Sequence, residues 1–224
     1  MKTFPAVAAA FLATLICSGP VAAADSPQPT PKATAHVEGY RSARFGMTEE
    51  EVRGAIANDF RLTGTEVKET TNPLQATRAL FFTLSKLEPG PGPAIVSYIF
   101  GATSHRLVHV NVSWTLDNPN PAGRERVAIA GAALTEYFTH TPAPFKTETT
   151  GATFASNGLI MFSGLDDQGA AVEVAAAGIS FTRTDPKTGV KTPSPPPLGP
   201  ARLRVSYIAN VLQPDIHQIK HGLF

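Results

Sequence analysis

Three observations predict an α+β fold, an antiparallel sheet with two helices on one face. Capped stretches of helical period begin at Thr48 and at Asn120. Each is followed by segments that are apolar at alternate positions. Turn residues separate those segments closely enough for antiparallel neighbours. The order of one helix and then several strands occurs twice. It suggests a duplicated helix-plus-strands unit with halves at 37–118 and 119–224, although no residue-level repeat accompanies it.

The first helix opens on Gly46-Met47-Thr48-Glu49-Glu50-Glu51-Val52. Thr48 can cap a free amide while Glu51, three residues on, reaches back to the cap's own amide, and Met47 and Val52 bracket the entry with apolar side chains. Val52, Ala55 and Ile56 continue one apolar stripe, with Phe60 a turn further, so the helix packs by this face. The acidic run Glu49 to Glu51 complements the dipole at the helix start. Leu80, Phe82 and Leu84 then alternate as a strand, Ile95 to Phe100 form another, and Gly101-Ala102-Thr103-Ser104 supply a hairpin turn. The clearest strand is Val108 to Leu116. Its even positions are all apolar and its odd positions His109, Asn111, Ser113 and Thr115 are polar, so one face is buried and the other is wet or covered by something polar.

Asn120-Pro121 starts the second helix as a cap followed by a first-turn proline. Val127, Ala130, Leu134 and Phe138 recur at helical spacing, the Ala and Gly residues among them permit close approach to a sheet, and Thr141-Pro142 ends the helix. Arg124 and Arg126 sit on its first turns, where a positive charge opposes the dipole, and are expected to meet a carboxylate or water. Leu159 to Phe162 and Ala170 to Ala175 flank the turn Asp166-Asp167-Gln168-Gly169 as a hairpin. A last strand alternates Leu203, Val205 and Tyr207 with Arg202, Arg204 and Ser206. The stretch from Thr192 to Pro200 reads as a stiff polyproline connector within the domain.

Residues 1–24 have the pattern of a signal peptide: Lys2, an apolar run from Phe4 to Ile16, and Ala22, Ala23 and Ala24 before a cleavage point at Asp25. Ile16 is bulky where lipidation of Cys17 would need a small residue, and the apolar run is too short for a membrane anchor. The expected product is periplasmic or secreted, with no stable membrane insertion after cleavage. Residues 25–36 are rich in Pro, Ser, Thr and Ala, a composition that reads as a disordered tether before the single domain 37–224. Cleavage removes the chain's one cysteine, so disulfides, thiolate metal ligation and cysteine nucleophiles are excluded from the mature chain. Without Lys2, the 19 basic residues become 18 against 18 acidic ones, and nothing points to nucleic acid as a partner.

The chemistry-bearing residues form no recognised catalytic motif. There is no Gly-x-Ser-x-Gly, Ser-x-x-Lys, His-Glu-x-x-His or Gly-rich phosphate loop. His105 and His109 would stand about 13 Å apart on a strand, too far to share a metal. Asp215, His217 and His221 are the weak metal candidates, because a helical C-terminus would stack the two histidines. No metal and no cofactor is expected. Adjacent Asp166 and Asp167 fit turn geometry better than a carboxylate pair. Trp114 reads as core. The binding candidate is the polar row His109, Asn111, Ser113 and Thr115, whose donors and acceptors would be presented together on one strand face.

Arg44-Phe45-Gly46-Met47-Thr48-Glu49-Glu50-Glu51-Val52 resembles the opening of secreted bacterial domains of the BamE/SmpA and β-lactamase-inhibitor-protein class, in which a Gly-Met-Thr turn leads into a helix and then an antiparallel sheet. The chain departs from that pattern in having no lipobox and one helix, rather than a pair, before the strands. More broadly, with Tyr98-Ile99-Phe100-Gly101 and Tyr207-Ile208-Ala209-Asn210, it resembles uncharacterised periplasmic proteins of α-proteobacteria. The resemblance implies binding of a protein partner or an envelope-assembly role, and no catalysis. The expected function is a non-catalytic module that binds a periplasmic protein or small ligand. The opposing class is a hydrolase whose triad is assembled from distant residues, with Ser104, Ser113 and Ser163 among the available serines.

Overall fold

The computed structural model describes residues 34–154, 158–185, 187–194 and 196–217. A small hairpin, β1 (Gly39–Tyr40) and β2 (Ala43–Arg44), precedes helix α1 (Glu49–Phe60). Then come β3 (Lys68–Asn72), β4 (Thr77–Leu84), β5 (Ala94–Phe100) and β6 (Leu107–Leu116). Helix α2 (Pro121–Thr139) leads into β7 (Thr147–Thr149), β8 (Ala152–Phe154), β9 (Gly158–Leu165) and β10 (Ala171–Ala177). The hairpin β11 (Thr182–Thr184) and β12 (Lys191–Pro193) interrupts the path to β13 (Ala201–Ile208). The main sheet runs β3-β4-β5-β6-β13-β10-β9-β7, with β8 also paired to β9. Every pairing in it is antiparallel. The fold is α+β.

The order of strands shows why the sequence reads as helix, strands, helix, strands. Each half is a helix followed by a meander, and the last strands of the two meanders, β6 and β13, pair with each other. One cross-strand row runs through both halves: Phe82, Val96, Val112, Val205, Val174, Phe162. It reads the same from either end. All six side chains are buried.

Both helices lie on the face that carries this row. Phe60 at the end of α1 packs its ring on Phe82, with centroids 4.9 Å apart. In α2, Gly131 faces Met161 and Leu203, and a Cβ on Gly131 would collide with the Met161 sulfur, so the helix settles closely on β9 and β13. Tyr40 of the β1–β2 hairpin stacks on Tyr207 at 5.3 Å. Val52, Ala55 and Ile56 of α1 and Val127, Ala130 and Phe138 of α2 are buried in one continuous core with the sheet.

The local signals in the sequence act as expected at the helix starts. Thr48 Oγ1 accepts from the Glu51 amide, and Glu51 accepts from the Thr48 amide at 2.7 Å, completing the capping box. Asn120 Oδ1 accepts from the Gly123 amide at 2.7 Å. Glu49 does more than meet the dipole. With Glu69, Arg53 and Arg78 it forms a network that ties α1 to β3 and β4. Trp114 is buried, and its Nε1 donates to the Leu87 carbonyl at 2.9 Å.

Three readings change, and one strand is new. Arg124 meets neither a carboxylate nor water alone, because its guanidinium donates to the carbonyls of Gly178 and Gly199 and fastens two loops to the start of α2. The stretch 192–200 is not a connector throughout: Thr192 and Pro193 pair with Arg183 and Thr182 in the β11–β12 hairpin. The chain joins the folded body before residue 37, since the Ala35 amide donates to the Pro144 carbonyl at 3.0 Å. The edge strand β3 was unforeseen, for all five of its residues are exposed and none is apolar.

Removing the cap with Thr48→Ala should lower stability by about 1 kcal/mol. Val112→Ala, in the middle of the shared row, should cost about 2 kcal/mol or more. Urea melts compare the two, and a neutral Val112→Ala would show that the strand phase is misassigned.

Candidate binding face and cleft

The alternation of β6 puts Val110, Val112 and Trp114 under the helices and turns His109, Asn111, Ser113 and Thr115 to the other face. Because α1 and α2 share the first face, the described residues place no helix on the second. Register then fixes the neighbours of each candidate. Asn111 lies in a polar row with Ser97, Ser206, Glu173 and Ser163. Ser113 lies between Ile95 and Arg204, and Thr115 beside Arg202. Arg204 donates to Glu173 at 2.9 Å across β13 and β10.

His109 occupies a different setting from the rest of its strand. Its row reads Ala79, Ile99, His109, Ile208, Ala171, Leu165, aliphatic on both sides. Burial among these groups pushes the imidazole pKa down to about 4; a hydrogen bond to Asn111 acts against this shift, and the Arg204 charge adds to it. The ring is therefore neutral near pH 7. Its Nε2 is buried with no hydrogen-bond partner among the described residues.

A strap formed by residues 209–217 crosses this end of the face. The Val211 amide donates to Gly169 in the β9–β10 turn, the Ala102 amide donates to the Asp215 carbonyl, and the His217 amide donates to Gln75 in the β3–β4 turn. Asp215 is the buckle. Its two carboxylate oxygens accept from the Thr103 and Ser104 amides, each at 2.9 Å, and hydrogen bonds from Ser104 and Thr103 hold its carboxyl below the usual range. Gly101 is needed here because a Cβ would run into the Asp215 carboxylate. Strap and sheet enclose a cleft of about 440 Å³ with His109 and Asn111 in its wall.

These contacts revise the metal candidates. Asp215 is engaged by backbone amides, and residues 211–217 form bends and irregular backbone rather than the helix that would have stacked His217 with a second histidine. His221 lies outside the described residues. His105 is in the β5–β6 turn, with a left-handed backbone, and not on a strand beside His109. Asp166 is buried in its turn, where it accepts from the amides of Gln168, Ala170 and Val37, which is a structural duty.

The nearest hydroxyl network does not activate a nucleophile. Ser206 donates to Asn111 Oδ1 at 2.7 Å, so an amide oxygen, and not the His109 ring, receives its proton. Ser113 turns its hydroxyl to the Ile95 carbonyl. The other buried polar atom without a partner, the Tyr98 hydroxyl, lies on the helix-covered face, where burial raises its pKa. What the open face offers is hydrogen bonding: a polar sheet surface, and beside it a cleft with the neutral imidazole of His109 in its wall.

Sequence reasoning treated His109, Asn111, Ser113 and Thr115 as one row and missed the strap that crosses the His109 end of it. Compared with models of known protein families, with curated proteins and with solved structures, the chain shows no significant match. No described helix is long and apolar enough to cross a membrane.

The depressed pKa of His109 makes stability depend on pH. The unfolded ring titrates near 6.5 and the folded ring at about 4, so between these values the unfolded chain binds a proton that the folded chain does not. Stability should be full above pH 6.5 and decline as pH falls towards 4, and the decline should be smaller in His109→Gln. Imidazole NMR titration checks the value, and an ordinary midpoint between 6 and 7 would contradict it. At the buckle, Asp215→Ala should raise hydrogen exchange at the Thr103 and Ser104 amides by about tenfold or more while leaving the core amides of β6 unchanged.

Proposed function

We propose that the chain is an exported, non-catalytic binding module of the bacterial envelope whose recognition surface is the sheet face opposite the helices. The observation that carries this reading is the asymmetry of the sheet. One face is sealed by α1, α2 and the β1–β2 hairpin, and the other presents Asn111, Ser113, Thr115, Arg202 and Arg204 in adjacent rows. Antiparallel sheets with one covered side leave such a face free for a partner. The half-exposed Ile95 beside Ser113 adds apolar contact area within the polar surface.

Export is supported by residues 1–24, with their basic start, apolar run and Ala-rich end. An envelope role is supported by the resemblance of the Gly46-Met47-Thr48 turn and its capped helix to secreted bacterial binding domains. The hydrogen bond of Ser206 to an amide rather than to a base weighs against the hydrolase reading.

Ser113→Arg places a bulky charge on the open face without entering the core, and Ile129→Arg does the same on the exposed side of α2. With periplasmic extract as the source of partners, Ser113→Arg should abolish capture of the proteins retained by wild type, and Ile129→Arg should retain them. Unchanged capture by a folded Ser113→Arg would retire the open face as the recognition surface.

A further inference from the structure

Helix α2 carries a second pattern on the side turned away from the sheet. Ala122, Arg126, Ile129, Ala133, Glu136 and His140 follow one another at alternating intervals of four and three residues, the spacing of a coiled-coil seam, and all six are exposed. Ile129 is 61% exposed, and Tyr137 on the flank of the seam is 70% exposed. Grooves widen this apolar patch beyond the helix, with Pro89, Pro91 and Leu116 beside Ile129 and with Pro142 beside Tyr137. The charges of the seam also lack an internal purpose. Arg126 towards the start and Glu136 towards the end both run against the helix dipole, and neither has an ion-pair partner among the described residues. Arg124 is occupied by two carbonyls, whereas Arg126 faces outward.

We propose that this face of α2 is a homodimer interface, on which a second copy of the chain lays its own α2 antiparallel across a two-fold axis. The order of the seam carries the inference, because it is complementary to itself when reversed. Antiparallel alignment about Gly131 sets Arg126 opposite Glu136 of the second copy and Ile129 opposite its Ala133, and the axis makes each pair twice. Ala122 and His140 meet at the ends. A large apolar side chain thus fills the space above a small one at the centre, and opposite charges flank it on both sides. A parallel pair would instead set Arg126 against Arg126 and Glu136 against Glu136, at a cost in like-charge repulsion. An unrelated partner would require no such reversal symmetry. The interface lies on the helix side of the sheet, so a dimer joined here leaves both open faces uncovered and does not depend on the recognition surface proposed above.

Sedimentation equilibrium of the full chain tests the proposal. Because a two-helix interface is small, wild type should pass from monomer to dimer between about 10 and 500 µM. Arg126→Glu and Glu136→Arg each put like charges opposite one another at both ends of the seam, and each should weaken the dimer by about tenfold or more. Both substitutions agree with the helix dipole, so the folded monomer should melt no lower than wild type. Mixing the two variants is the decisive arm. In the mixed pair the introduced glutamate faces the introduced arginine, and the native Glu136 of one chain faces the native Arg126 of the other. Association should therefore return to within about threefold of wild type. Should either reversal not fold, Ile129→Arg takes its place and should abolish the dimer while retaining capture at the open face, which also separates the two surfaces. A wild type that stays monomeric up to about 500 µM, as expected if α2 serves another protein, would overturn the proposal. So would a dimer indifferent to these substitutions, or two reversed variants that do not associate when mixed.

Discussion

The ladder between β6 and β13 is the constraint on which the rest of the structure depends. It has eight residue pairs, from Leu116 and Ala201 at one end to His109 and Ile208 at the other. Each half by itself would leave a long strand edge unpaired and a helix with half a sheet to cover. Joined, the halves share one core, with Val112 opposite Val205 at the centre of the palindromic row. The same ladder builds the open face, because it sets His109 beside Ile208, Asn111 beside Ser206 and Ser113 beside Arg204. Core and surface are thus two sides of one register.

The two faces treat the internal symmetry differently. On the helix side the row of Phe and Val is repeated in both halves. On the open side, the two-fold relation that superposes Val112 on Val205 would carry His109, Asn111 and Ser113 onto Arg202, Arg204 and Ser206. The first set is neutral and ends in a half-buried imidazole, while the second carries two cations. Packing demands the same apolar volumes from each half, whereas the exposed face is under no such demand. The strap over His109 lies at one end only, which makes the surface directional.

Much of the fold was legible because short-range physics specified it. The capping box of Thr48 and Glu51, the Asn120-Pro121 start and the period-two pattern of β6 are each local, and each appears where it was read. The similar order of elements in the two halves has no counterpart as a residue-level repeat. The intervals between Phe82 and Phe162, Val96 and Val174, and Val112 and Val205 are unequal, owing to the longer β4–β5 connection, the bulge in β6 and the β11–β12 insertion. β3 escaped because an exposed edge strand of Lys, Glu, Thr and Asn carries no apolar signal. At the site, the alternation of β6 was enough to place His109 and Asn111 on one face, but it suggested a uniform polar row. What separates them is the aliphatic row beside His109 and the strap, both contributed by residues distant in sequence. The buckle has no local signature either, since Asp215 serves amides in a turn more than a hundred residues away.

The central claim is that the β6–β13 ladder makes the two halves one cooperative body with a single continuous floor. Native-state hydrogen exchange across a urea series tests it most directly, by following the hydrogen-bonded amides of β5, β6, β10 and β13. The account predicts that the slowest amides on both sides of the ladder converge on one opening free energy, equal to that of global unfolding. If the amides of β10 and β13 exchanged through an opening of lower free energy while β5 and β6 stayed protected, the halves would be separate folding units, and the shared register could not be what holds the open face together.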